Sequence, residues 1–175
     1  MVSGPIAIRR IDALSPALRE GLFDLLSDCV NGGASVGFLA PLGRATALRF
    51  WDRVAASLGT NRALWVAESD GVAVGSVQLE LCERDNALHR AEVQKLLVRH
   101  EFRRRGIAAM LMDALEAFAR AQGRTLLTLD TEAGSAAEKF YHGEAWRRAG
   151  EIPDYALDPA GTLRGTAYYY KPLPP

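Results

Sequence analysis

The feature that most constrains the fold of this chain is a predicted strand–turn–helix unit between residues 92 and 122. Residues 92–98 are rich in branched apolar side chains and have the length of a β-strand. Between residues 107 and 118, apolar side chains recur at helical spacing, and the pattern ends at Gln122-Gly123. The turn that joins the strand to the helix is basic and consists of Arg103, Arg104, Arg105 and Gly106.

This turn has the features of an anion-binding site. A helix N-terminus presents unpaired backbone N–H groups and the positive end of the helix dipole. Gly106 lets a ligand approach the backbone closely, and the arginines add positive charge. Two interpretations stay open from these residues alone: a pyrophosphate site, or an ordinary basic turn before an amphipathic helix. Neither Gly-x-x-x-x-Gly-Lys-Ser/Thr nor a strand-to-helix Gly-x-Gly-x-x-Gly occurs, so the common nucleotide motifs do not fit.

The remaining sequence divides into short strands and helices. Ser15-Pro16 is a typical helix start, and Asp70-Gly71 is a typical hairpin turn. The other predicted elements are strands at 6–11, 64–67, 72–81, 125–130, 146–150 and 166–171, and helices that begin at Pro16 and span 45–58 and 135–141.

These elements predict a single α/β (α+β) domain over residues 1–175. The strand–helix–strand unit implies parallel pairing through a right-handed crossover, whereas the hairpin before it implies antiparallel pairing. We therefore expect a mixed, mostly antiparallel, twisted sheet of about seven strands, with a central parallel pair and about four flanking helices. Ligands of such sheets bind at the carboxyl ends of the parallel strands, here Val98 and Asp130.

Composition excludes several classes of partner. Lys+Arg and Asp+Glu number 21 each, which argues against a general attraction to nucleic acid or to a membrane surface. No apolar run approaches the roughly twenty residues of a membrane span, and no secretory signal is visible. We therefore expect a cytoplasmic protein with neither a nucleic-acid nor a membrane partner, and a homodimer stays open.

Cysteine and histidine usage predicts no metal site and no disulfide. The three histidines lack Cys or His partners at metal-ligand spacing. Cys29 and Cys82 lie in helical and strand-like patterns and are expected to be free thiols. Cys82 has no histidine nearby in sequence, which favours a structural role over a nucleophilic one.

Two carboxylates and a phenol are candidate acid–base groups. Glu92 and Gln94 share one face of their strand, and Asp130 ends the next parallel strand, so either acid could accept a proton from an amine. Tyr141 could donate a proton to a departing thiolate. The alternatives stay open: the acids could be solvated or paired with nearby cations, and the ring could complete a core face. The cations in question are Arg90, Lys95 and Arg124, and Glu132 is a weaker third acid.

The order strand, Arg-x-x-Gly-x-Ala, helix, strand, then Ala137-x-x-Phe140-Tyr141 resembles the GNAT superfamily of acetyl-CoA-dependent N-acetyltransferases over essentially the whole chain. The peptides at 32–38, 91–96 and 129–135 are more specifically similar to those of tabtoxin-resistance acetyltransferases. Two positions depart from the family pattern: Gly134 replaces an asparagine, and Ala145-Trp146 replaces Gly-Phe.

The resemblance implies a role for each part of the site. The backbone of Leu96, Leu97 and Val98 would pair with the pantetheine arm of acetyl-CoA, and Tyr141 would lie near its sulfur. Ser35 and Phe38, between the first two helices, would line the acceptor pocket together with Glu92 and Asp130. The pyrophosphate would bind to the arginines and backbone N–H groups of Arg103, Arg104, Arg105, Gly106, Ile107, Ala108 and Ala109.

The implied reaction is direct acetyl transfer to a small-molecule amine within a ternary complex. A tabtoxin-like lactam amino acid would make the enzyme one of self-protection or detoxification. The alternatives are another acceptor (an amino acid, a polyamine, an aminoglycoside or a peptide N-terminus), or a non-catalytic acetyl-CoA-binding regulatory module.

Overall fold

A computed structural model describes residues 4–174. The predicted strands and helices are confirmed to within two residues at their ends, except for the last two strands. In chain order the elements are β1 (Ala7–Ile11), α1 (Pro16–Asn31), α2 (Arg44–Ser57), β2 (Arg62–Ser69), β3 (Val72–Leu81), β4 (Arg90–Val98), a 3-10 turn (His100–Phe102), α3 (Ile107–Ala121), β5 (Leu126–Glu132), α4 (Ala136–Gly143), β6 (Arg147–Leu157) and β7 (Leu163–Pro172).

Local chemistry explains the early elements. The Ser15 hydroxyl caps α1 by accepting a hydrogen bond from the Leu18 N–H at 3.2 Å, and Pro16 fills the first helical position. Asp70 and Gly71 have positive φ angles of 49° and 76°, which a two-residue hairpin turn of the type I′ kind requires. The turn joins β2 to β3 and sets their antiparallel register.

Within residues 4–174, seven strands form one mixed sheet, as predicted, and the structure gives their order as β1-β2-β3-β4-β5-β7-β6. Only β4 and β5 run parallel, and their ladder contains three residue pairs, from Arg90↔Leu126 to Glu92↔Thr128. Beyond Glu92 the two strands no longer pair with each other, although β4 continues to Val98. The sheet therefore opens between the carboxyl ends of its two central strands.

Helices cover both faces of the sheet. Helices α1 and α2 pack on one face against apolar side chains that include Leu64, Val66 and Leu97. Helices α3 and α4 pack on the other face, where the buried side chains include Trp65, Val93 and Leu129. The opening between β4 and β5 consequently lies between two packed cores.

The end of the chain differs from the sequence prediction. Strands β6 and β7 span 11 and 10 residues, roughly twice the predicted lengths, and β5 continues two residues past Asp130. Almost every residue of β6 is exposed, so this edge strand shows no alternating apolar pattern that sequence reasoning could detect. Cys82 lies just beyond β3 and is half-buried, rather than within a strand.

Two further observations apply to residues 4–174. No helix in this range is both long and apolar enough to span a membrane. No group of three or more His, Cys, Asp or Glu side chains in the same range is arranged to hold a metal ion.

Candidate active site

The basic turn forms an open backbone cradle at the start of α3. Gly106 is the N-cap residue, with a left-handed φ of 77°, and no side chain caps the helix. A Cβ added to Gly106 would meet no atom within 4 Å, so the surrounding space is free. The N–H groups of Ile107, Ala108 and Ala109 belong to the first helical turn and have no partner within the helix. This geometry fits a diphosphate.

The three arginines of the turn are not equivalent. The Arg103 Nε donates to the Val98 carbonyl at 3.3 Å. The Arg105 guanidinium donates to the Glu101 carbonyl at 3.0 Å and lies 4.8 Å from the Phe102 ring centre. Among the described residues, Arg104 makes no comparable side-chain contact and is exposed. Arg104 is therefore the arginine whose charge is most available to a bound anion.

The open edge of β4 provides backbone hydrogen-bonding groups. The Arg99 N–H donates to the Val74 carbonyl of β3 at 2.9 Å. Because backbone groups alternate in direction along a strand, Leu97 also faces β3, whereas Leu96 and Val98 direct their groups away from β3. An extended chain placed in the opening could therefore pair with Leu96 and with the Val98 N–H, but not with Leu97. The Val98 carbonyl already accepts hydrogen bonds from Arg103 and from the Cys29 thiol.

The two candidate carboxylates share one face of the sheet. Glu92 is opposite Thr128 in the register of β4 and β5, and Asp130 follows Thr128 by two residues. Both acids are exposed, and they stand beside the opening of the sheet. The register of β4 and β5 thus brings Glu92 and Asp130 to the same cleft.

A hydrogen-bonded chain that the sequence did not reveal fixes Glu92. The Gln94 Nε2 donates to Glu92 at 2.9 Å and to Glu80 at 3.1 Å. Arg62 in turn donates to Glu80 at 2.5 Å and to Gln78 at 2.9 Å. These contacts join three strands, and they hold the Glu92 carboxylate toward the cleft.

Tyrosines form the far wall of this cleft, which has a volume of about 390 Å³. Tyr168 is opposite Asp130 in the β5–β7 register, and its ring centre lies 6.0 Å from that of Tyr155. Interaction with the Tyr155 hydroxyl, followed by burial, raises the pKa of Tyr168 to about 12. Sequence reasoning missed these tyrosines, because they come from the exposed β6–β7 hairpin.

Tyr141 lies on α4, on the other side of the opening. Its ring is buried and packs against Trp146 and Tyr169, with ring centres 5.8 Å and 6.5 Å away. Burial raises the pKa of the Tyr141 phenol above its usual range, and the negative charge of Asp130 adds to the shift. The phenol therefore keeps its proton at neutral pH. The ring belongs to the core and the phenol is also affected by Asp130, so its position is consistent both with a packing role and with a role as proton donor.

The loop between α1 and α2 meets the β6–β7 hairpin. The Ala40 N–H donates to the Pro159 carbonyl at 2.9 Å, so the loop and the hairpin tip are joined. Phe38 packs edge-on against Phe50 of α2 at 5.4 Å. Neither Ser35 nor Phe38 lines the cleft of Glu92 and Asp130, so their contact with an acceptor stays a prediction.

Comparison with known proteins decides the family. The profile of the acetyltransferase (GNAT) family matches residues 22–143, which include the basic turn, both candidate acids and Tyr141. The chain belongs to the GNAT family. The protein is therefore an acyltransferase, and family membership makes acetyl-CoA its acetyl donor, as the resemblance implies.

Individual relatives agree with this assignment. An uncharacterized N-acetyltransferase of Azospirillum brasilense is 35% identical over 127 residues, which cover 71% of this chain and 74% of the relative. The N-acetylaspartate synthetase of Danio rerio is 35% identical over 99 residues, or 56% of this chain and 34% of that protein. A Salmonella typhimurium structure described as an acetyltransferase with its cofactor acetyl-CoA has a TM-score of 0.78, at 16% identity and with 98% and 96% of the two chains covered.

In this GNAT protein, the arginines of the basic turn are expected to contribute unequally to acetyl-CoA binding. We expect Arg104→Ala to weaken acetyl-CoA binding about three- to tenfold, because it removes one charge-assisted contact at an exposed site. Arg105→Ala should weaken binding less, since that guanidinium already binds the Glu101 carbonyl. Isothermal titration calorimetry measures both effects, with Arg53→Ala on exposed α2 surface as the matched control. Unchanged affinity with lower turnover would contradict the assignment.

Proposed function

We propose that this GNAT enzyme transfers an acetyl group to the amine of a small molecule bound in the cleft of Glu92 and Asp130. One observation carries the proposal. The two carboxylates share a sheet face beside the opening between β4 and β5, and Tyr141 stands on the far side within the electrostatic reach of Asp130. Acid groups that bind an ammonium thus adjoin a protonated phenol.

The donor would be held by backbone groups already described. The first-turn N–H groups of α3 and the Arg104 side chain suit the diphosphate of acetyl-CoA. The backbone groups of Leu96 and the N–H of Val98, which point away from β3, suit the amides of its pantetheine arm. Acetyl-CoA supplies the acetyl thioester, and this binding mode would direct it into the opening of the sheet.

Proton transfers then follow from the positions of the side chains. An acceptor amine reacts only when neutral, so Glu92 or Asp130 takes a proton from the bound ammonium, directly or through water. Tyr141 donates its phenolic proton to the departing thiolate sulfur, and the second proton that the attacking nitrogen loses restores the phenol. The transfer is direct, without an acetylated enzyme. Cys29 supports this view, because burial raises the pKa of its thiol to about 11 and disfavours the nucleophilic thiolate.

Cys82 is the other thiol to consider. Hydrogen bonds from Arg84 and Arg90 lower its pKa, yet the Arg90 contact at 3.8 Å places Cys82 near the amino end of β4, away from the sheet opening. Direct transfer therefore remains the proposal. It predicts that no free thiol appears when acetyl-CoA is mixed with the enzyme in the absence of an amine.

For the acceptor we propose a small zwitterionic amine, of the kind represented by the tabtoxin-derived lactam amino acid. The similarity of three peptides to tabtoxin-resistance acetyltransferases supports this choice. The name of the relative N-acetylaspartate synthetase likewise refers to an acetylated amino acid. Acetylation of a toxic lactam would make the enzyme one of detoxification or self-protection.

An acceptor screen tests the proposed function. Thiol release from acetyl-CoA is followed with lactam and ordinary amino acids, polyamines, aminoglycosides and peptides, and acetylated products are identified by mass spectrometry. We expect steady release with at least one small amine and none without it. Acetyl-CoA binding without turnover on any amine would instead indicate a non-catalytic regulatory module.

Substitution of the phenol separates its chemical role from its packing role. We expect Tyr141→Phe to lower kcat about 10²-fold, because the departing thiolate loses its proton donor, with little change in acetyl-CoA affinity. In the unsubstituted enzyme the raised pKa should keep this acid active through mildly alkaline pH. The control is Tyr169→Phe, which removes a hydroxyl bonded to Glu138 at 2.9 Å and should reduce stability rather than turnover. Equal kcat in Tyr141→Phe and wild type would restrict Tyr141 to packing.

A further inference from the structure

We propose that Lys95 binds a carboxylate on the acceptor and so selects amines that also carry an acidic group. The inference rests on the proposed function, because it concerns the acceptor of the same reaction. Lys95 belongs to β4, between the Gln94 that holds Glu92 and the Leu96 that faces the sheet opening. No role for this side chain follows from the chemistry described above.

The backbone at Lys95 is irregular in a way that redirects its side chain. The register of β3 and β4 passes from Ser76↔Leu97 to Gln78↔Gln94, so β4 contains one extra residue at this point. Lys95 has a φ of 51°, a left-handed conformation that costs a non-glycine residue about 1 kcal/mol or more. Bulges of this kind re-aim side chains near active sites.

The redirected ammonium reaches the loop between α1 and α2. A Cβ added to Gly37 would lie 3.7 Å from the Lys95 Nζ, so the lysine tip touches this loop. The same loop binds the β6–β7 hairpin through Ala40 and Pro159. Lys95 therefore sits where the loop, the hairpin and the carboxylate-bearing sheet face converge.

The charge of Lys95 is only partly compensated. Burial lowers its pKa, the charge of Arg62 adds to the shift, and the carboxylates of Asp130 and Glu92 oppose it. Among residues 4–174, no carboxylate oxygen lies within 4.0 Å of its Nζ. A half-buried cation without a contact ion pair is destabilising, and an anionic ligand group would reduce that cost.

Unpaired hydrogen-bond donors on neighbouring strands also favour the binding of an anion. In the described part of the chain, neither the buried Gln78 Nε2 nor the buried Arg62 Nε has a hydrogen-bond partner. Gln78 is opposite Gln94 in the register, next to the bulge at Lys95. These two donors belong to the hydrogen-bonded chain that holds Glu92, and they add positive polarity to the strands next to Lys95.

The test compares matched acceptors in matched variants. The twenty common L-amino acids and their carboxamides are assayed for kcat/KM, since each amide keeps the amine and loses the carboxylate charge. Wild type should prefer the acids at least about tenfold, as expected for a charge-assisted hydrogen bond. Lys95→Met should bring this ratio close to one by lowering kcat/KM for the acids. Lys95→Arg should keep part of the preference.

Control measurements keep the outcomes distinct. Lysine occurs at only three positions, and exposed Lys139 provides the matched variant Lys139→Met, which should leave the ratio unchanged. Melting temperature and acetyl-CoA affinity verify that each variant folds. If Lys95→Met does not fold, the wild-type ratio and Lys95→Arg decide the question. The inference is overturned if wild type turns over amines without preferring the acids, or if Lys95→Met keeps the preference. No turnover on any amine would instead contradict the proposed function itself.

Discussion

Replacing Asp130 by Asn is expected to lower kcat/KM by about 10²- to 10⁴-fold, the range of general acid–base catalysis. The amide keeps the shape of the side chain but can neither accept a proton from the ammonium nor attract it by charge. Glu92→Gln should cause a loss in the same range, since Gln94 holds the Glu92 carboxylate toward the same cleft at 2.9 Å. Steady-state kinetics with the best acceptor of the screen measure both losses.

The two acids also need to be told apart. The amide variant of the base should mainly lower kcat, whereas the amide variant of an acid that only orients the ammonium should mainly raise KM. Because both acids act on one ammonium, the fold-decrease of kcat/KM in the double variant should be smaller than the product of the fold-decreases in the two single variants. Asp113→Asn, at an exposed position of α3, is the matched control. Full activity in both single variants would remove the carboxylates from the mechanism.

The parts of the site that the sequence indicates most directly are those encoded locally. A strand, a basic turn and an amphipathic helix follow one another within about thirty residues, so their chemistry is visible without tertiary structure. The sequence marks Glu92 and Asp130 as separate candidates, but their placement on one face depends on the register of β4 and β5. The unit at 92–122 uses distances along the chain that are short enough for a pattern to be read.

The parts that sequence missed depend on contacts between distant segments. The chain from Glu92 through Gln94 and Glu80 to Arg62 joins residues 30 positions apart, and no local pattern encodes it. The bulge at Lys95 depends on the register with β3, which a single strand does not reveal. Tyr155 and Tyr168 lie on a hairpin whose outer strand is almost wholly exposed, so its length gives no hydrophobic signal.

The second large effect concerns stability. Glu116 of α3 binds Lys171 of β7 at 2.6 Å, and the two side chains are only 8% and 19% exposed. Glu116→Ala would leave the lysine charge buried and uncompensated, so we expect a loss of about 3 to 5 kcal/mol in the free energy of unfolding. At roughly 2–4 °C per kcal/mol for a domain of this size, the melting temperature should fall by about 6 to 20 °C. Differential scanning calorimetry measures the change.

A double variant distinguishes two contributions to the free energy of unfolding: the cost of a buried charge without a partner, and the stabilisation by the ion pair itself. Glu116→Leu with Lys171→Met replaces both charges by apolar groups and should regain most of the lost stability, because replacing a buried pair by packed side chains is often neutral. Since α3 also carries the basic turn, acetyl-CoA at about 100 times its dissociation constant should restore about 2.7 kcal/mol to Glu116→Ala, provided that the folded variant still binds it. A double variant as unstable as the single one would mean that the ion pair itself, rather than relief of a buried charge, holds α3 against β7. In that case the position of the basic turn would depend on this pair, and the single variant should bind acetyl-CoA more weakly even at temperatures where it is fully folded.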